Sequence, residues 1–200
     1  MSQSVETQAI PLQSHEAASS RVNEQAHLFA SLAAGMATAM LVQVRSVQPG
    51  GVSGRSTVSA QPMVHQVDGA GNTVPHGIIN NLPVFRLQGG ANAVILDPAV
   101  GDIGIAVFAS RDISAVKASR QPSQPGSARR FDWADGLYMG GFLNDAPTQF
   151  VEFSGAGIRL VSPVAVVIES PTLTHNGKNI GATHVHSGVE TGGANTAPPV

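Results

Sequence analysis

Apolar residues follow a helical spacing only near the start of the chain. Within residues 14–35 they recur every three or four positions, at Ala17, Ala18, Val22, Ala26, Phe29, Ala30 and Ala33. This is the period of one helix face, and Ser14 is of a type that caps helix N-termini, so we predict a helix over residues 14–35. The apolar stretch 26–44 is interrupted by polar residues, which favours a helix followed by a strand over a membrane span.

From residue 38 the pattern changes to the period-two alternation of β-strands. Predicted strands cover residues 38–47, 56–59, 63–67, 74–79, 83–87, 93–96 and 104–109, with Gly-rich or Asp-containing turns between them. Several short strands at this spacing predict a small barrel or sandwich, and a five-stranded barrel of the OB type fits the size. We therefore divide the first part of the chain into residues 1–37 (tail and helix) and 38–115 (OB-fold domain).

Residues 116–148 are interpreted as a loop and connector. A polar segment with prolines spans residues 118–130, and residues 131–139, which hold the single Trp and single Tyr, predict one turn and a short strand. Asp132 and Asp135 could form a catalytic carboxylate pair. We expect instead that Asp132 caps a helical turn and that Asp135 is solvated.

Residues 149–183 form a second β segment that is too thin to be stable alone. The apolar runs 150–153 and 158–161 flank a Ser-Gly-Ala-Gly turn, and the run 164–168 is apolar on both faces. No aromatic residue follows Phe153 up to residue 183, so one copy would bury too little surface to offset an ordering entropy of roughly 1–2 kcal/mol per residue. We predict that three copies intertwine about an axis and cover each other.

The composition narrows the class of protein. Charged residues are 12% and aromatic residues 4% of the chain, while 22 Gly and 13 Pro are present, as expected for a fibrous all-β protein rather than a cytosolic enzyme. The net charge of −2 and the absence of any basic run beyond Arg129-Arg130 argue against a nucleic-acid partner. The lack of cysteine excludes disulfides and thiolate metal sites.

His184 and His186 are the candidate metal ligands. In an extended segment both imidazoles point to one face. Two ligands are too few for a closed zinc site, and residues 187–200 contain no Cys, His or Asp. A three-fold axis would supply six imidazole nitrogens, which suit octahedral iron, nickel or cobalt. The alternative is a solvated loop without metal. His175 and Glu190 are weaker candidates for assisting this apex, residues 184–200.

Several short stretches, in this order, resemble one family. They are residues 61–64, 67–69, 82–84, 98–104, 108–112, 129–132, 136–137 and 183–186. The chain resembles the baseplate spike proteins of contractile phage tails, the baseplate assembly protein V and Gp138-like family. Two features depart from the family: the shaft is short and residues 192–200 follow the histidine pair. The predicted N-terminal helix has no counterpart that we can assign.

The resemblance implies an N-terminal OB-fold barrel, a trimeric β-helix shaft and an apex with one iron ion per trimer. Carried onto this sequence, the iron ligands are His184 and His186 from each of three chains. It also implies a homotrimer in the virion, at the tip of the tail baseplate. Its partners would be the baseplate hub, other tail proteins and, transiently, the bacterial outer membrane, and it would have no enzymatic activity.

Two other functions were weighed. A His-x-His metallohydrolase needs a further acidic or histidine ligand nearby, but residues 187–189 are Ser, Gly and Val. An OB-fold module for oligosaccharide or single-stranded nucleic acid needs aromatic residues in a basic groove. Residues 38–110 offer only Phe85 and Phe108, which we expect in the core. The spike therefore remains the leading hypothesis.

Overall fold

The computed structural model describes residues 20–184. The chain divides into two units, residues 1–145 and 146–200, and each is described by itself. The elements in chain order are α1 (Arg21–Ala34), β1 (Ala39–Gln48), β2 (Thr57–Pro62), β3 (Gln66–Val67), β4 (Thr73–Val74), β5 (Ile79–Pro83), β6 (Leu87–Gly89), β7 (Asn92–Val94), β8 (Ile103–Phe108), α2 (Ser114–Ser119), a 3-10 helix (Trp133–Asp135), β9 (Gly136–Gly141), β10 (Phe150–Ser154), β11 (Gly157–Val161), β12 (Thr174–His175) and β13 (Lys178–Asn179).

The first unit is built on a five-stranded antiparallel sheet in the order β5-β2-β1-β8-β9. The sheet curls, because Val84, just beyond β5, forms a parallel bridge with Tyr138 of β9 at the other edge. The Phe85 N–H donates to the Tyr138 carbonyl at 2.7 Å across the same edges. The result is a mostly β protein with a curled half-barrel sheet and few helices.

The core lies on the concave side of this sheet. Alternate residues of β1, β2, β8 and β9 point inward, as the period-two pattern predicts, whereas β5 buries Ile79 and Leu82, which are three positions apart. The buried apolar residues of the sheet are Val42, Val44, Val58, Ala60, Ile79, Leu82, Ala106, Phe108 and Tyr138. Position 104 of β8 requires glycine, because a Cβ there would collide with the ring of Tyr138 and the carbonyl of Gly140.

The long strands match the sequence prediction better than the short ones. β1, β2 and β8 lie where the alternation predicts them. The predictions for residues 63–67 and 74–79 are largely wrong, since only the two-residue strands β3 and β4 form there and pair with each other. Asp68 explains the short pairing, because its carboxylate accepts the N–H groups of Ala70 and Asn72 and closes a tight turn.

The predicted helix exists but begins later than expected. Ser20 is its N-cap, with an extended backbone and a hydroxyl that accepts the Asn23 N–H at 3.2 Å. The prediction of Ser14 as the cap is therefore wrong, and that residue lies outside the described range. A strand follows the helix, as predicted for residues 26–44. None of the helices in residues 20–184 is both long and apolar enough to span a membrane.

Within residues 146–184, the second unit contains two hairpins. The larger pairs β10 with β11, and the smaller pairs β12 with β13 around the turn Asn176-Gly177. Both turn residues have a positive φ, 48° at Asn176 and 76° at Gly177, which these residue types tolerate. The apolar residues 164–168 belong to no strand.

Candidate functional site

The β10–β11 hairpin carries an apolar face that its own chain leaves uncovered. Val151 pairs with Leu160, and Phe153 pairs with Ile158 in the antiparallel register. Directly paired side chains lie on the same face of a hairpin, so these four residues form one continuous surface, which we call the apolar hairpin face. Each is more than half exposed, and Phe153 exposes 77% of its surface.

The opposite face of the same hairpin is mixed, because it carries the apolar pair Phe150–Val161 beside a charged pair. Glu152 pairs with Arg159, and the guanidinium lies 3.1 Å from the carboxylate. Arg159 also lies over the ring of Phe150, with 5.4 Å between the guanidinium carbon and the ring centroid. A solvated ion pair contributes little stability, about 0–1 kcal/mol. The ion pair distinguishes this face from the apolar hairpin face, whose four residues carry no charge.

Residues 164–168 add to the uncovered apolar surface. Val164, Val166, Val167 and Ile168 are all exposed, by 50% or more. Sequence analysis predicts that both faces of this run must be covered. Within the described residues of one chain they are not, so any cover has to come from outside that part of the chain.

His184, the first candidate metal ligand, lies at the end of the described range, just after the β12–β13 hairpin. Its ring Nδ1 lies 2.7 Å from the carbonyl of Gly181. A carbonyl can only accept, so Nδ1 carries a proton in this hydrogen bond, and Nε2 is the nitrogen that holds the lone pair whenever the imidazole is neutral. This is the usual arrangement of a metal-binding histidine, whose other nitrogen donates to a backbone carbonyl.

Asn179 holds the segment that leads to His184. Its Oδ1 accepts the N–H of Gly181 at 2.9 Å, and its Nδ2 donates to the Thr183 hydroxyl at 3.0 Å. The His184 N–H donates to the Gly181 carbonyl at 3.1 Å. The backbone before the candidate ligand is therefore ordered by its own side chains.

Of the other predicted site residues, one lies within the described part of the chain and two lie outside it. His186 and Glu190 lie outside the described residues. His175 belongs to β12, opposite Lys178. In residues 20–184, no three His, Asp or Glu side chains come together in a way that could hold a metal ion. Metal ligation by His184 and His186 stays a prediction, and the donor chemistry of His184 fits it.

Sequence analysis missed a buried polar cluster in the first unit. Asp112 and Asp135 have side chains that are 2% and 1% exposed, and one guanidinium nitrogen of Arg129 lies 3.1 Å and 3.2 Å from their carboxylates. The Ile113 N–H also donates to Asp135 at 3.0 Å. The prediction of a solvated Asp135 is therefore wrong, whereas Asp132 caps the 3-10 helix as predicted.

Hydrogen bonding sets the charge state of this cluster. Donors from Ser114 and Ser127, assisted by the charge of Arg129, lower the pKa of Asp112 to about 2. The hydrogen bonds to Asp135 in turn raise the pKa of Arg129. Burial lowers the pKa of Lys117, which donates to the Ala134 carbonyl at 3.0 Å. These contacts fasten α2 and the connector to the barrel, which is a structural role.

The two phenylalanines of the barrel are placed differently. Phe108 is buried, as predicted, whereas Phe85 is 53% exposed because it lies just outside the closing edge of the sheet. The neighbouring Arg86 donates to the Gly51 carbonyl at 2.7 Å. The expectation that both phenylalanines lie in the core is therefore correct for Phe108 and wrong for Phe85.

These features define a class of protein: a curled β half-barrel followed by β-hairpins with an uncovered apolar face. Residues 49–141, from the end of the first barrel strand to β9, match the family model described as the phage protein Gp138 N-terminal domain. This match confirms the predicted resemblance to Gp138-like phage baseplate proteins. A search of curated proteins found no match.

Residues 49–141 thus match a phage protein family. This match indicates a structural role in the tail or baseplate, with other tail proteins as partners and the virion as the location.

Proposed function

We propose that this protein is the central spike of a contractile tail, a homotrimer at the tip of the baseplate that pierces the outer membrane of the host. The observation that carries the proposal is the apolar hairpin face in the second unit. A face of Val, Phe, Ile and Leu backed by an ion-paired face is the pattern of a sheet that packs on one side only.

The half-barrel supports an OB-type domain at the base of this spike. Its strand order, β5-β2-β1-β8-β9, with a parallel bridge between the edge strands, matches the connectivity of a five-stranded Greek-key barrel. The Arg129 cluster secures the long connector between β8 and β9, so the barrel does not depend on its neighbours for this segment.

The shaft, residues 149–183, is the part that needs three copies. In a trimer the apolar hairpin faces of three chains turn toward a common axis, and the faces that carry Glu152 and Arg159 turn to water. Residues 164–168 gain cover in the same way. An intertwined β-helix of this kind also leaves fewer open sheet edges, which otherwise invite uncontrolled association.

His184 and His186 from three chains would hold one iron ion, or another octahedral transition metal, at the apex. The Nδ1 contact of His184 to Gly181 supports this role, because metal-binding histidines commonly donate their other ring N–H to a backbone carbonyl. The metal would supply a cross-link among chains at the point that meets mechanical resistance. Binding energy at a structural metal site is on the order of 10 kcal/mol and adds to folding energy.

The proposal has no catalytic step. Tail contraction supplies the work, and the protein transmits force through a covalently continuous shaft and a metal-linked tip. The buried carboxylates of Asp112 and Asp135 are engaged by Arg129 and by backbone N–H groups, which favours a structural protein over a hydrolase.

Native mass spectrometry combined with elemental analysis tests the proposal. We expect a trimer that contains one transition-metal ion per three chains and that loses the ion on acidification, because imidazole must be neutral to bind. A metal-free monomer would overturn the proposal. A monomer that binds oligosaccharide or single-stranded DNA at low salt would instead support an OB-fold binding module.

A further inference from the structure

The turn of the β12–β13 hairpin, Asn176-Gly177, carries a side-chain amide that no neighbour holds. Asn176 is exposed, and within residues 20–184 its side chain makes no hydrogen bond. The N–H of Gly177 lies outside the strand ladder, whose pair nearest the turn is His175 with Lys178. In the described part of the chain, the side chain of Asn176 and the main-chain nitrogen that follows it are therefore not fixed by hydrogen bonds.

Three other asparagines outside the long strands are held in place. Each engages its side-chain amide in a hydrogen bond, with donor–acceptor distances between 2.7 and 3.0 Å, and each is followed by a residue that has a side chain. They are Asn72, Asn144 and Asn179. Asn176 differs from them in both respects.

Glycine after the asparagine lets the two groups approach each other. Gly177 has no Cβ, so the Asn176 side chain can come close to the Gly177 nitrogen without a steric clash. Both residues have a positive φ, as a two-residue type I′ turn requires. Asparagine is among the chemically labile residues of proteins, and at this position its surroundings do not protect it.

We propose that Asn176 is a site of spontaneous covalent modification, at which the side-chain amide becomes a carboxylate through a cyclic imide. The Gly177 nitrogen forms a bond to Cγ of Asn176. The bond from Cγ to Nδ2 breaks, and Nδ2 leaves as ammonia with the proton that the Gly177 nitrogen gives up. Water then opens the ring: attack at Cγ leaves aspartate, whereas attack at the main-chain carbonyl carbon of residue 176 leaves isoaspartate. Water is the sole co-reactant.

Isoaspartate at this position breaks the pairing of β12 with β13. Its main chain runs through Cγ and is one carbon atom longer, in a turn whose geometry must match the twist of two strands. The hairpin has two residue pairs, so no further pairing compensates. Asn179 of β13 holds the segment before His184, and that segment loosens with the hairpin. The modification itself does not depend on the proposed spike function.

Peptide mapping of the aged full-length protein by mass spectrometry tests the site. The protein is incubated in mildly alkaline heavy-oxygen water, and the loss of each asparagine amide is followed over time. The matched control is Asn92, which is also exposed and unbonded in residues 20–184 but precedes Ala93, a residue of the β6–β7 ladder. We expect Asn176 to react at least about tenfold faster than Asn92, because ring closure needs the close approach that glycine permits. Equal rates at the two residues would overturn the proposal.

Trypsin cleavage after Lys178 tests the effect on the hairpin. Asn176→Asp has the charge of the product with an unmodified main chain. We expect the aged protein to be cleaved at Lys178 at least about fivefold faster than fresh protein or fresh Asn176→Asp, because opened pairing exposes the chain to protease. Fast amide loss with unchanged cleavage would overturn the loss of pairing. A fresh protein that is monomeric by light scattering and still loses the Asn176 amide rapidly would overturn the spike and support this inference.

Discussion

Replacing Phe153 by serine tests the assembly of the shaft most directly. Phe153 belongs to β10 and to the apolar hairpin face, and it exposes 77% of its surface within one chain. In a monomer the substitution would remove an exposed side chain and leave the folding stability almost unchanged. In the proposed trimer it would remove a buried side chain from each of three chains.

The exposed area of Phe153 sets the size of the expected change in trimer stability. A phenylalanine presents roughly 200 Å² and burial stabilises by about 25 cal/mol per Å², so covering the exposed part contributes about 4 kcal/mol per chain and about 12 kcal/mol per trimer. About 1.4 kcal/mol corresponds to a tenfold change in an equilibrium constant. The midpoint concentration of a trimer varies as the square root of its dissociation constant, so Phe153→Ser should raise it by about four orders of magnitude.

The neighbouring residue supplies the matched control. Glu152→Ser makes the same replacement one position away, on the opposite face of the hairpin, and removes only the ion pair with Arg159. Such a pair is worth at most about 1 kcal/mol per chain, which moves the midpoint by about one order of magnitude. Light scattering across a dilution series gives both midpoints. Indistinguishable midpoints for the two variants would refute the burial of the apolar hairpin face in the assembly.

Three further predictions concern the barrel and the apex. The Tyr138 hydroxyl is buried without a hydrogen-bond partner in residues 20–184, so Tyr138→Phe should raise the free energy of unfolding by about 1 kcal/mol in urea titration; a decrease would show that the hydroxyl is bonded. Asp112 has a folded pKa of about 2, below its ordinary 3.8, so its stabilisation is present above about pH 4 and is lost as the pH falls through about 2. Asp112→Asn should therefore melt at a lower temperature at pH 7 and lose less between about pH 4 and 2, whereas parallel curves would contradict this reasoning. The double change His184→Ala/His186→Ala should abolish bound metal in elemental analysis and leave the urea transition of the barrel unchanged; retained metal would assign the site to other residues.

Sequence periodicity located the elements whose side chains alternate between a core and water. β1, β2 and β8 were predicted for this reason, and so were the apolar runs of the β10–β11 hairpin. Prediction was poorer where local side-chain hydrogen bonds compete with strand pairing, as at Asp68, and where the start of α1 depends on which of several serines caps it. Several nearby residues could form the same turn or the same helix cap, so the sequence alone does not select one of them.

The candidate site, too, was predicted from the sequence in part and required the structure for the rest. The proposal for His184 and His186 came from their spacing and from the resemblance to the spike family. The structure adds the Gly181 contact that orients the first ring. The burial of Asp135 could not be read from its neighbours, because it depends on Arg129 and on the Ile113 N–H, which the fold brings to the same place.

The sequence by itself determined the local features of this protein: one helix near the start of the described chain, the long strands of the barrel and an apolar run on each side of a glycine-rich turn. These follow from the period of side chains along a single segment, which needs no knowledge of other segments. Only the tertiary structure decided that the sheet curls until Val84 meets Tyr138, that Gly104 must lack a side chain beneath the tyrosine ring, and that one arginine pairs with two buried aspartates. Each of these joins residues distant in sequence, and the distance between such residues is set by strand order and register.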